Sequence, residues 1–240
     1  MALFDFDSII INNCSGDFDH EALKNTMLFF KRLGIKHFIV TYDVDLDRRP
    51  ISDTVSLMRT IKSDLKKIKP YACTIAFAPV IELKRYVVQN PSLYKFLFTR
   101  KNILFIKLPE YQPWNYEKWL FADINELLYK KEYCHVFINI CDAFENYDQE
   151  IADKLHRTQR SFICYDAKYI TTRPGRIRAM QALGRKNMKM VLSVNKPLKS
   201  YMKIENSFER FKKALGSNTY LRFCKYLNDC NILIFPKKLK

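Results

Sequence analysis

"ALFDFDSIII", Ala2 to Ile11, opens the chain with the composition of a buried strand and one feature such strands rarely carry. Asp5 and Asp7 alternate with Phe4 and Phe6. An acid inside a buried parallel strand needs a reason: chemistry, a metal ion, or cations to pair with. With Leu3–Ile11 as the first strand of an α/β protein, Asp7 is taken with the strand-end positions where parallel βα proteins carry their functional groups.

Working outward, apolar runs of strand length alternate with amphipathic helical patterns. "DFDHEALKNTMLFFKRLG" reads as a helix with Asp17 or Asp19 as N-cap and Gly34 as its stop. "IKHFIVTYD" is the second strand, and the helix after it opens at Pro50. The strands "YACTIAFAPV", "NILFIKLP", "CHVFINI", "SFICYDAKYI" and "KMVLSVN" follow. Helices are expected around "PSLYKFLFT", from Trp114 to Lys131, over "DQEIADKLHRT" and over "PGRIRAMQALGRK". "NSFERFKKAL" and "YLRFCKYLND" close the chain as two more. Seven strands alternating with helices predict an α/β fold, a single parallel (β/α)7-type barrel over residues 1–240, slightly smaller than the eight-unit form. A doubly wound open sheet is the competing arrangement. In a barrel the informative positions are the strand C-termini: Asp7, Asp43, Val80, Lys107, Asn139, Asp166, Val194 and Lys196.

The composition supports one compact unit, with 48% hydrophobic residues, only 5 Gly and no repeat or Ser/Gly-rich joint. The seven cysteines form no C-x-x-C pair, sit mostly in apolar segments, and read as reduced core thiols of a cytoplasmic protein. "MALFDFDS" has no basic leader and no run approaches a membrane span. The formal charge is +16, unevenly spread. Residues 173–240 hold 17 Lys/Arg against 3 Asp/Glu, while residues 1–60 hold 7 against 9. Such a basic segment attracts polyanions, whether nucleic acid, anionic lipid or an acidic protein.

The order of these segments resembles the bacterial manganese-dependent tyrosine phosphatases of capsule and exopolysaccharide operons, within the polymerase-and-histidinol-phosphatase (PHP) superfamily. "IKHFIVTYD" is similar to that family's I-T-H-I-I-A-T-P-H. "NILFIKLPEYQPWNYEKWLFADINELLYKKEYCHVFIN" is similar to its strand ending I-E-L-P, a helix, and the strand ending A-H-P-E-R. "MVLSVNKP" falls where the family has F-I-A-S-D-A-H. The ligands themselves depart. The family's D-I-H-S-H is Asp5-Phe6-Asp7-Ser8-Ile9 here; its later His, Glu and His positions are Asp43, Lys107 and Asn139; and the Asp and His of S-D-A-H are Val194 and Lys196. The resemblance therefore implies a PHP fold whose metal-binding histidines have been replaced. The chain's four histidines, His20, His37, His135 and His156, form no H-x-H or H-E-x-x-H pattern.

On this alignment Asp5, Asp7, Asp43, Lys107, Asn139 and Lys196 form the rim of a degenerate site with no catalytic residue. Two lysines would replace the cations that once balanced the acids; an ammonium about 4 Å from a carboxylate gains roughly 4 kcal/mol at an effective dielectric of 20. No cofactor is expected, the rival being one residual Mg²⁺ or Mn²⁺ on two carboxylates. "TTRPGRIRAMQALGRK" places Arg173, Arg176 and Arg178 at an expected helix N-terminus, a candidate anion site. Trp114, Tyr116 and Trp119, with Tyr111, form an aromatic cluster suited to helix packing or to stacking a base.

Three functions follow. The first is a pseudophosphatase that binds an anionic or phosphorylated partner, in a setting of bacterial exopolysaccharide or tyrosine-kinase signalling. The second is an RNA-binding subunit, because "MALFDFD" and the basic C-terminal segment also suit the barrel protein of ribonuclease P. The third is an active metal phosphatase with altered ligands.

Overall fold

The computed structural model describes residues 4–13, 19–44, 50–82, 103–107, 135–139, 161–184, 189–194 and 203–235. Seven strands run through them: β1 (Ser8–Asn13), β2 (His37–Val44), β3 (Thr74–Glu82), β4 (Ile103–Lys107), β5 (His135–Asn139), β6 (Ser161–Asp166) and β7 (Met190–Val194). All are parallel and pair in chain order. The sheet closes where β1 meets β7, through Ile10↔Ser193 and Ile11↔Val194, so the strands form a barrel rather than an open sheet. The α/β class and the parallel sheet agree with the sequence. The helices expected around residues 91–99, 114–131 and 148–158, and the aromatic cluster of Tyr111, Trp114, Tyr116 and Trp119, lie outside the described residues.

Helices cover the outside. α1 (His20–Arg32) starts at Asp19, whose carboxylate accepts from the Ala22 N–H at 2.9 Å, and ends before Gly34 at φ 108°. The cap satisfies a backbone donor that the first turn leaves open. α1 buries Leu23, Met27 and Phe30, one turn apart on a single face. α2 (Ile51–Ile68) follows Pro50 and seats Ile61 and Leu65. After β6 a 3₁₀ turn (Ala167–Thr171) leads into α3 (Arg173–Gly184), and α4 (Ile204–Leu215) and α5 (Ser217–Ile234) end the described chain.

Strand alternation sorts the two faces. The Tyr165 hydroxyl donates to the Gly175 carbonyl on α3 at 2.8 Å, so the odd residues of β6 face outward. Cys164 and Asp166 therefore face the barrel interior. Register carries that inner face round the sheet to Ser193, Ile10, Asn12, Thr41, Asp43, Val80, Phe105 and Lys107.

α5 lies across the N-terminal end of the barrel. Its Tyr220 meets Asp5, Phe223 packs on Phe6, the Leu227 carbonyl accepts from Ser8 Oγ at 3.5 Å, and Phe235 at its end sits on His37. Phe4 and Phe6 stack with centroids 4.8 Å apart and meet Phe208 of α4 edge-on. Each such ring removes about 150–250 Å² from water, so this aromatic plug is a main source of adhesion between the chain's start and its end.

This plug corrects the first strand. It was expected from Leu3 to Ile11 and forms from Ser8 to Asn13. Phe4 and Phe6 alternate with acids as strand residues do, but they are buried against α4 and α5 instead of in a sheet. The third strand likewise begins at Thr74, not Tyr71, and the sixth ends at Asp166 because that residue caps the 3₁₀ turn.

Candidate functional site

The C-terminal mouth of the barrel opposes the plug. Asp43 stands one residue from the end of β2, and Lys107, Asn139, Asp166 and Val194 end their strands, as expected. Val80 lies two residues inside β3. Asp43 and Lys107 are half-buried, whereas Asp166 has no exposed surface. Register makes Lys107 the neighbour of both Glu82 and Asn139. It stands two strands from Asp43 and two residues further up, roughly 12 Å between Cα atoms at standard spacings.

Asp166 is the best-defined acid of the mouth. One oxygen accepts from the Lys168 N–H at 2.9 Å, and the other lies 3.8 Å from the Lys168 ammonium. That ammonium also sits 4.6 Å from the centre of the Tyr169 ring. A buried carboxylate needs this kind of compensation, here a backbone donor and a cation from the same turn. Lys168 and Ser193 escaped the sequence reading. The spacing Asp166-x-Lys168 after an apolar run was the available signal, since an acid there caps the next turn. Below it, Thr41 Oγ1 donates to Asn12 Oδ1 at 2.7 Å, both buried.

Asp5 and Asp7 are not at this mouth. Both precede β1, at the plugged end. The Asp7 carbonyl accepts from Lys36 and His37 N–H at 2.8 Å each, and its carboxylate lies 3.4 Å from His37 Nε2. His37 pairs with Thr74, and Lys107 with Glu82, so eight residues of β3, about 26 Å, separate the two levels. The physical reason is the aromatic plug, which keeps Phe4 to Asp7 out of the sheet. Asp5 is bound by Lys212 of α4 at 2.7 Å and by the Tyr220 hydroxyl at 3.0 Å. Those bonds, Lys212 first, hold its carboxyl below the ordinary value; Asp5 in turn raises Lys212. Burial is the main cause pushing the Tyr220 hydroxyl up. The two acids of the opening stretch are thus paired with cationic and hydrogen-bonding partners.

The metal alternative needed Asp7 and Asp43 together. They stand at opposite ends of β2, about 20 Å apart along the strand, and do not make a common site. At the mouth, Asp166 already has an ammonium beside it. Among the described residues no group of three or more His, Cys, Asp or Glu is placed to hold a metal ion. His20 begins α1, and His37 and His135 begin strands at the plugged end.

The expected anion segment divides in two. Arg173 is exposed at the start of α3. Arg176 is turned back, its Nη1 donating to the Ile170 carbonyl at 2.9 Å, so it braces the 3₁₀ turn. Arg178 lies on α3, but its side chain is outside the described residues, as is Lys196. Further exposed cations of the same basic segment are Lys203 just before α4, Arg210 and Lys213 on α4, and Lys225 on α5. Cys73, Cys164, Cys224 and Cys230 are buried free thiols, as expected of core cysteines. Burial pushes the Cys73, Cys224 and Cys230 thiols up, away from the reactive thiolate. Among the described residues no helix is long and apolar enough to cross a membrane.

Fold and mouth together define a parallel α/β barrel with a charged mouth and a strongly basic C-terminal segment. No protein-family model matches the chain, and no curated protein matches it.

Proposed function

We propose that this chain is a non-catalytic RNA-binding barrel, a subunit of an RNA-processing particle of the kind represented by the barrel protein of ribonuclease P. The observation that carries the proposal is the concentration of charge: 17 Lys/Arg against 3 Asp/Glu in residues 173–240, whose described part includes α3, which starts beside the mouth, and the helices α4 and α5. Exposed cations spread over several elements, Arg173, Lys203, Arg210, Lys213 and Lys225, suit a long, flexible polyanion better than a single phosphate. The opening "MALFDFD" also suits this reading, because Asp5 binds α4 and α5 and Asp7 binds His37, so neither acid lines the mouth.

The second reading is a PHP-type (β/α)7 pseudophosphatase acting on a phosphorylated partner, in exopolysaccharide or tyrosine-kinase signalling. It is favoured by Asp43 and Lys107, which occupy strand ends where the family resemblance aligns ligand positions. Both readings take the protein as cytoplasmic.

A salt titration separates them. RNA affinity should fall with a log–log slope of about 0.7 for each phosphate contact on a single strand. Replacing the exposed Arg173, Lys213 and Lys225 with Ala should lower that slope by up to about two and leave folding intact. Preference for a phosphotyrosine peptide over RNA would favour the second reading. Mn²⁺-dependent phosphotyrosine hydrolysis lost in Asp43→Ala would overturn both and restore an active phosphatase.

A further inference from the structure

The corner where α2 turns into β3 carries an aromatic ring that the barrel does not use. Tyr71 is 89% exposed, while Pro70 before it and Cys73 after it are buried. The Cys73 N–H donates to the Pro70 carbonyl at 3.2 Å, and Ala72 is held at φ 59°. A non-glycine residue in the left-handed region is uncommon and costs on the order of 1 kcal/mol. The turn therefore holds Tyr71 out into water from a short segment anchored on both sides.

Three lysines share the corner with the ring. Lys69 is two residues before it and exposed. The Lys36 carbonyl accepts from the Thr74 N–H at 2.9 Å, which brings the exposed Lys36 to the same corner. Lys31, at the end of α1, and Lys69 are both close enough for their charge to be felt at the Cys73 thiol. The acids of this end are paired: Asp7 lies at the same corner, its carboxylate on His37, while Asp64 meets Lys67 and His20 and Asp5 meets Lys212.

We infer that this corner is a contact for single-stranded nucleic acid, with one base stacked on Tyr71 and the flanking phosphates met by Lys31, Lys36 and Lys69. Every base has a face that stacks on an aromatic ring, so such a contact is tolerant of sequence. The inference rests on the RNA reading and adds a contact outside the basic segment of residues 173–240.

The test is photo-crosslinking of the full chain to a single-stranded RNA containing 4-thiouridine, mapped by mass spectrometry, beside equilibrium binding of variants. A crosslink in the peptide containing Tyr71 is expected. Tyr71→Ala should weaken binding at least about fivefold, the loss of one stacked base, and Tyr71→Phe should stay within about twofold. Lys36→Ala with Lys69→Ala should lower the salt slope by about 1.4. The melting temperatures of these surface variants should match the wild type. If RNA binds but Tyr71→Ala changes nothing and crosslinks fall only within residues 173–240, this contact is overturned and the RNA reading stands. If the lysine variants weaken binding while Tyr71→Ala does not, the corner attracts anions without stacking, and the inference fails. If no RNA binds at low salt, both fall.

Discussion

Replacing Gly175 with Ala sets two physical effects against each other, and the sign of the result decides between them. Gly175 lies in the first turn of α3, where Ala would favour the helix by up to about 1 kcal/mol. An added Cβ would, however, stand 2.1 Å from the Tyr169 carbonyl oxygen and within 2.8 Å of two more backbone atoms of Tyr169. Contacts below 3.0 Å are essentially never seen, so the turn must move by about 1 Å. That turn is tightly tied. Thr172 donates to the Tyr169 carbonyl through both N–H and Oγ1 at 3.3 Å, Thr171 Oγ1 donates to Lys168 at 2.6 Å, and Asp166 caps its start. Overpacking costs about 1–3 kcal/mol when side chains can adjust, and here the obstacle is backbone. A net loss of about 2 kcal/mol is expected, lowering Tm by roughly 4–8 °C for a chain of this size. Denaturant titration and calorimetry of Gly175→Ala against wild type measure it, with Gln181→Ala on the exposed face of α3 as a control expected within about 0.5 kcal/mol. A Gly175→Ala protein as stable as wild type, or more stable, would refute the close approach of α3 to the 3₁₀ turn.

Phe208→Ala should cost about 3–5 kcal/mol by emptying the centre of the aromatic plug, read as a shift of the denaturant midpoint; a loss under 1 kcal/mol would contradict the packing of Phe4 and Phe6 on α4. Asp5→Asn should cost no more than about 1 kcal/mol at pH 7, because the pair with Lys212 is half-exposed. The folded carboxyl is lowered, so its contribution is present above the unfolded value near 3.9 and fades as pH falls through the folded one. Wild type and Asp5→Asn should therefore converge in stability as pH falls below the ordinary carboxylate range, and a gap that widens on acidification would reverse the assignment. Thr41→Val removes the buried donor to Asn12 and should cost about 1–3 kcal/mol by urea unfolding, more than an exposed Thr60→Val on α2.

Hydrophobic runs such as "IKHFIVTYD" and "KMVLSVN" gave away their strands because residues buried on both faces of a parallel sheet leave an unbroken apolar signature. The cap at Asp19, the stop at Gly34 and the helix after Pro50 were equally plain, since each depends on residues within one turn. The mouth positions Asp43, Lys107, Asn139 and Asp166 followed once the strands were known. Asp5 and Asp7 did not. A period of two was read as a strand, but the partners of Phe4 and Phe6 are Phe208 and Phe223, some two hundred residues away. Arg176 looked like a free cation in a basic stretch until its guanidinium was found on the Ile170 carbonyl.

Local chemistry thus settled which segments are strands and helices, and where the positive charge lies along the chain. Closure was beyond it, because an open sheet and a barrel need the same alternating segments and differ only in whether β1 reaches β7. The end of the barrel on which an acid sits was beyond it too. Strand boundaries shift by a few residues when an alternating stretch finds better burial against a distant helix, and a shift of that size moved Asp7 from the mouth to the plugged end. Periodicity reports only that a side chain will be buried; the surface that buries it is supplied by the far end of the chain.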